Sequence, residues 1–128
     1  MSDILIYACH PYSGDEEDNF KRSFGQQAHL EAIGFLVDNP LLSHKCDKYC
    51  KHEWGYWMRV ALKKLSRCDV VFCQFKPKVS RGCDLEMAWA SECGLPLLVT
   101  YAEARLYWDQ HKNDQPPCQY MDEAGIGF

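Results

Sequence analysis

Four short apolar runs along the chain are separated by longer stretches in which apolar residues return every three or four positions. Residues 4–9, 35–37, 70–75 and 97–101 have the length and composition of strands. Residues 20–33 bring Phe20, Phe24, Ala28 and Ile33 near one helical face, and Gly34 is placed to end that helix in a left-handed cap. Residues 53–66 gather Trp54, Trp57, Ala61, Leu62 and Leu65 in the same way, and residues 81–93 form a third helix stopped by Gly94 and Pro96. Strands alternating with such helices predict βαβ units. The expected fold is α/β: a small doubly wound, flavodoxin- or Rossmann-like domain with a parallel sheet of four to five strands and helices on both faces. Beyond Tyr101 the pattern weakens, with a last helix over 103–110 and an irregular tail from about residue 112, where Ile126 and Phe128 stand near the end.

In sheets of this kind ligands bind beyond the carboxyl ends of the strands. Residues 9–19 and 75–80 therefore belong to the ligand rim, and Asp69, at the start of the third strand, belongs to the opposite end as a turn residue. The acidic stretch GDEED, residues 14–18, reads as a solvated rim loop.

Composition narrows the function. At 128 residues the chain makes one domain, residues 1–128, with a single active surface. A net charge of −4 without any Lys/Arg block argues against nucleic-acid binding and leaves small ligands or protein partners. No apolar segment approaches a membrane span, and MSDILIYAC lacks the basic start and long apolar run of a signal peptide, so a cytoplasmic protein is expected. The eight cysteines (9, 46, 50, 68, 73, 83, 93 and 118) then read as free thiols packed as small apolar residues. His44, Cys46, Cys50 and His52 are the exception. Their crowding fits either a polar loop or a tetrahedral Zn site that would organise an interaction protein. No cofactor and no active-site metal is expected.

The sharpest signal lies in SRGCDLEMAWA, residues 80–90. Advancing about 100° per residue from Cys83 puts Glu86 at roughly 300°, between Cys93 and Ala90 and close to Trp89 and Cys83. A carboxylate among apolar neighbours has its charged form disfavoured unless donors or a cation compensate. Pairing with Arg59, Arg81 or a backbone donor is the structural explanation. A ligand pocket is the functional one, because Glu86 stands less than two turns into a helix that starts on the rim. Ser80 suits an N-cap, and Gly82 permits close backbone approach by an anion or sugar hydroxyl. Trp54, Tyr56 and Trp57 are assigned to core or interface packing.

The pattern Ser80-x-Gly82-x-x-x-Glu86 resembles the catalytic motif of the nucleoside 2-deoxyribosyltransferase-like superfamily, which includes nucleotide N-hydrolases. WMRVALKKLSRCDVVF followed by SRGCDLEMAWASECGLPLL is similar to its phage and bacterial DUF4406 branch, as are YACHPYSG, Asn19-Phe20 and Asn39-Pro40. The resemblance covers roughly residues 3–100. It implies cleavage or transfer at the N-glycosidic bond of a nucleoside or nucleotide, with Glu86 attacking C1' of the sugar. It further implies Ser80 and Gly82 at the sugar 5' group or phosphate, Tyr7 and Gly14 in the loop over the ligand, and a homodimer or larger assembly. His10, Tyr12 and Arg81 complete the expected substrate contacts. Two departures stand out: Ser13 takes the place of the basic phosphate-binding residue, with Arg81 or Lys78 as substitutes, and the assisting Asp has no counterpart in WGYWMRVALKKLS. The leaving base would then take its proton from Asp15, Glu16, Asp18, His10 or Tyr12. A chain that keeps the pocket without the proton donor would be a non-catalytic module that sequesters a nucleotide.

Overall fold

The computed structural model describes residues 3–11, 16–41 and 54–114, and within them strands and helices alternate. The elements are β1 (Leu5–Ala8), α1 (Glu16–Ile33), β2 (Leu36–Asp38), α2 (Trp54–Ser66), β3 (Val70–Phe72), α3 (Arg81–Glu92), β4 (Leu97–Leu98) and α4 (Tyr101–His111). The sheet has the order β2-β1-β3-β4 and every pair is parallel. This is the expected doubly wound arrangement with four strands. Chain direction across the sheet reverses between β1 and β3, which makes the carboxyl ends of those two strands the switch point.

Side chains on β1 alternate between two cores, as strand geometry requires. Ile4, Ile6 and Ala8 join Leu30, Ile33, Phe35, Phe72, Leu98 and Ala104 on the side covered by α1 and α4. Tyr7 and Cys9 join Ala61, Leu65, Val71, Cys73, Cys83 and Ala90 on the side covered by α2 and α3. Burial of each large aliphatic side chain contributes about 1.5–3 kcal/mol. The chain leaves α1 at Gly34, whose φ of +137° is open to glycine and whose Cβ, were there one, would run into the Trp108 indole of α4. After β2, buried Asn39 donates to Ser23 Oγ (3.1 Å) and Gln27 Oε1 (3.3 Å) and accepts from the Leu41 amide (3.0 Å). Asn39 is thereby a latch between β2 and α1.

Several boundaries differ from the sequence reading. The third strand ends at Phe72, since β4 offers only Leu97 and Leu98 as partners and the Cys73 amide to Leu98 carbonyl bond (2.9 Å) follows the last paired residues. The run 97–101 is cut short because Thr100 caps α4: its hydroxyl accepts from the Glu103 amide at 3.1 Å. The last helix therefore opens at Tyr101. Residues 16–18 of the acidic stretch form the first turn of α1 rather than a loop, and Glu17–Lys21 and Asp18–Arg22 pair at i,i+4 (3.4 and 2.9 Å). On α2 the buried residues are Met58, Ala61 and Leu65, while Trp54 and Tyr56 are more than a third exposed, so of the two expected roles core packing falls and interface packing is left. Asp69 accepts from the Leu5 amide at 2.9 Å, at the amino end of the sheet.

Tyr12, Ser13, Gly14, Asp15, the His44, Cys46, Cys50 and His52 group, and the tail with Ile126 and Phe128 lie outside the described residues. Among the described residues no helix is long and apolar enough to cross a membrane.

Candidate active site

Helix α3 begins where the rim needs it. Ser80 adopts an extended conformation and its hydroxyl accepts from the Cys83 amide at 3.2 Å, so it is the N-cap. Ahead of it the Lys78 amide donates to both Asp84 carboxylate oxygens (3.0 and 3.1 Å), which holds the loop in a left-handed bend with Lys78 φ at +71°. From that start, the 3.6-residue period sends Cys83, Glu86 and Ala90 inward against the sheet.

Glu86 is 5% exposed. The Tyr7 hydroxyl donates a hydrogen bond to its Oε2, and the Cys9 thiol lies 3.7 Å from Oε1. Tyr7 and Cys9 come from the carboxyl end of β1, so the carboxylate meets the sheet at the switch point. Its partners are neutral donors, not Arg59 or Arg81. Burial pushes the Glu86 carboxyl up to about 7; the Tyr7 hydrogen bond opposes that, the charge at Cys73 adds to it, and the Cys9 hydrogen bond opposes it again. Burial and the neighbouring Glu86 charge hold the Tyr7 phenol well above its ordinary value. Tyr7 is thus a hydrogen-bond donor throughout the physiological range, and Glu86 is poised between acid and carboxylate at neutral pH.

The structure brings Tyr7, Ser80, Gly82 and Glu86 to one end of the sheet. His10 is buried next to them, its ring edge-on to Phe75 (4.8 Å) and its Nδ1 3.0 Å from the Pro11 carbonyl; burial lowers its pKa. Arg81 is exposed and lies over the Trp54 ring, 4.0 Å from its centre. At Gly82 a Cβ would meet Met58 Sδ at 3.5 Å and Ser80 Oγ at 3.8 Å, ordinary contacts that leave room for one. Cys93 and Trp89, placed near Glu86 by the helical wheel, are both exposed, and the Trp89 indole donates to Ser66 Oγ at 2.8 Å. A separate cavity of about 540 Å³, lined by Val60, Lys63, Lys64, Ser66 and Arg67, lies along the C-terminal half of α2, at the amino end of the sheet.

One group went unread in the sequence. Cys9, Cys73 and Cys83 are all buried, and their sulfurs lie within 4.8 Å of one another. Interaction with Cys73 is the largest cause that raises the Cys9 and Cys83 pKa values, and the contacts with Cys83 and Cys9 shift Cys73 down. The runs 4–9 and 70–75 each carry a Cys, Cys9 and Cys73, two residues beyond Tyr7 and Val71 on the same face, which was the available signal, but only the register reveals that they meet.

The doubly wound sheet of order β2-β1-β3-β4 is a fold this chain shares with solved deoxyribosyltransferases. The likeness is one of fold. A 2-deoxyribosyltransferase from Bacillus psychrosaccharolyticus superposes with a TM-score of 0.54 at 17% identity, over 73% of this chain and 69% of that one. A 2-desoxiribosyltransferase from Leishmania mexicana gives 0.56 at 15%, over 74% of this chain and 62% of that one. The CMP N-glycosidase of Clostridium botulinum gives 0.50 at 14%, over 84% and 99%. Among curated proteins none matches the chain. Residues 4–99 match DUF4406, a domain family of unknown function, and the chain belongs to that family.

Proposed function

We propose that this protein cleaves or transfers at the N-glycosidic bond of a (deoxy)nucleoside or nucleotide, with Glu86 as nucleophile. The observation that carries the reading is the buried Glu86 carboxyl group at the switch point, oriented by Tyr7 and Cys9 and, among the described residues, not neutralised by a cation. The fold it shares with structures named as deoxyribosyltransferases and a CMP N-glycosidase supports the same chemistry.

In this mechanism Tyr7 fixes Oε2, which leaves Oε1, held only by the weak thiol contact, to approach the anomeric carbon. The carbon–nitrogen bond breaks as the carbon–oxygen bond forms, through an oxocarbenium-like transition state. The bonding electrons leave with the base, which takes a proton from the rim, where His10, Tyr12, Asp15, Glu16 and Asp18 are the candidates. Water or a second base then opens the glycosyl ester. Ser80, Gly82 and Arg81 would contact the sugar and any 5'-phosphate, with Tyr7 and His10 beside them; Tyr12 and Gly14, outside the described residues, are candidates for further contacts. A homodimer or larger assembly and a cytoplasmic location belong to this reading, and sedimentation of the full chain tests the first.

The decisive experiment is release of free base from a panel of ribo- and deoxyribonucleosides and their 5'-monophosphates. Base release by the unaltered chain, reduced about 10³-fold or more in Glu86→Gln, is the expected result. Undiminished release by Glu86→Gln rules out the nucleophile. A nucleotide that raises the melting temperature yet survives intact replaces the enzyme with a sequestering module.

A further inference from the structure

We infer that Cys9, Cys73 and Cys83, with Glu86 as fourth ligand, form a binding site for a thiophilic divalent cation such as Zn²⁺ or Cd²⁺.

The site is assembled by three elements. The β1–β3 register pairs Ile6 with Val70, Tyr7 with Val71 and Ala8 with Phe72, and the Cys9 amide continues the ladder to the Phe72 carbonyl at 2.9 Å. Cys9 and Cys73 are therefore neighbours at the carboxyl ends of adjacent strands. Helix α3 lays Cys83 and Glu86, an i,i+3 pair on one face, over them.

The distances suit a tetrahedral ion. Zn–S bonds of about 2.3 Å and Zn–O bonds of about 2.0 Å put ligand sulfurs about 3.8 Å apart and a sulfur about 3.5 Å from a carboxylate oxygen. Here the three sulfurs lie within 4.8 Å of one another, and Cys9 Sγ is 3.7 Å from Glu86 Oε1. Closure requires sulfur movements of about 1 Å or less and a rotation of the Glu86 carboxylate, which stands beside Cys9 but outside the 4.8 Å grouping of the three sulfurs, toward the trio. The donor set is selective: three thiolates favour a soft or borderline cation over Mg²⁺ or Ca²⁺. Tyr7 already donates to Glu86 Oε2, supplying the outer hydrogen bond that a ligating carboxylate needs. Cys83 lies in the first turn of α3, whose N-terminal dipole favours the excess negative charge of such a centre.

Four protein ligands leave no open position, so the ion would not activate water. It would instead occupy Oε1 of Glu86 and silence attack on a sugar. That consequence for catalysis rests on the reading of Glu86 as nucleophile; the metal site does not.

The test is titration of the reduced, chelator-stripped full chain with Cd²⁺, followed by ultraviolet thiolate-to-metal charge transfer. One equivalent should give the absorbance of three thiolates. The band should survive in Cys46→Ser/Cys50→Ser, disappear or weaken in Cys73→Ser, and persist in Glu86→Gln with affinity lowered about tenfold or more. Native alkylation followed by mass spectrometry needs no variant: Cd²⁺ should slow labelling of Cys9, Cys73 and Cys83 and leave that of exposed Cys93 unchanged. Absence of a thiolate band overturns the inference, as does a band that moves with Cys46 and Cys50, or a trio found joined in a disulfide that cannot take up metal. Because the titration contains no nucleoside, its outcome is independent of whether Glu86 cleaves one.

Discussion

The two faces of the sheet are built from the same strands and have opposite characters. On the α1 and α4 side, Ile4, Ile6, Leu30, Phe35, Val70 and Phe72 pack with one another and with the rings of Tyr101, Tyr107 and Trp108, and the buried polar side chains there, Ser23, Gln26 and Asn39, are uncharged. On the α2 and α3 side, Tyr7, Cys9, Cys73, Cys83 and Glu86 put ionisable atoms into an interior that is as closely buried. One residue of offset along β1 separates the two environments. A sheet covered on both sides can thus devote one layer to cohesion and the other to chemistry, provided each polar atom in the second layer finds a partner.

Substitutions on the two faces should separate cleanly. The largest loss of stability is expected on the cohesive side: Leu30→Ala, at a fully buried position, should cost about 2–5 kcal/mol in urea unfolding without displacing the pH profile of any activity. On the other face, Glu86→Gln should stabilise the protein at alkaline pH. The carboxyl titrates near 7 in the folded chain against an ordinary 4.5, so the unfolded chain ionises first and stability falls from about pH 4.5 until the folded group has also ionised. Above about pH 8 the loss is complete, on the order of 3 kcal/mol, and the glutamine variant escapes it. Unfolding curves at acid and alkaline pH that move in parallel for both proteins would remove that expectation.

The same ionisation governs catalysis in the opposite sense. Under the proposed function Glu86 attacks as a carboxylate, so turnover should rise with pH through about 7. Tyr7→Phe removes a hydrogen bond that favours the ionised form, and the rising limb should move to higher pH, read from kcat/KM profiles. The smallest effect is expected at the edge of the cohesive face, where Thr100→Ala should cost about 1 kcal/mol through the lost cap of α4. A thermal melt settles it.

Much of this division was legible beforehand. Apolar runs and helical periods gave the strand–helix alternation, and the wheel turned Glu86 inward beside Cys83 and Ala90, where the structure has it. What escaped notice depended on partners remote in sequence. Strand length on β3 was set by the shortness of β4. The cysteine trio exists because residues 9, 73 and 83 are joined by register and helix placement, so treating the thiols as small apolar filler captured their burial but not their company. Trp54 and Tyr56 turned outward because the sheet accepts Met58, Ala61 and Leu65, a choice the helical period alone leaves open. The start of α4 was readable in retrospect: Thr100-x-x-Glu103 is a capping signature hidden at the end of an apolar run.

The Trp108 indole packed over Gly34 lies beyond residue 99, where the family match ends. Excising residues 4–99 for expression would therefore strip the sheet of a cover: Phe35 would lose the indole, Phe72 the Tyr101 ring, and the groove vacated by Ala104 would open to water. A working boundary for recombinant fragments belongs after His111, and shorter pieces should precipitate.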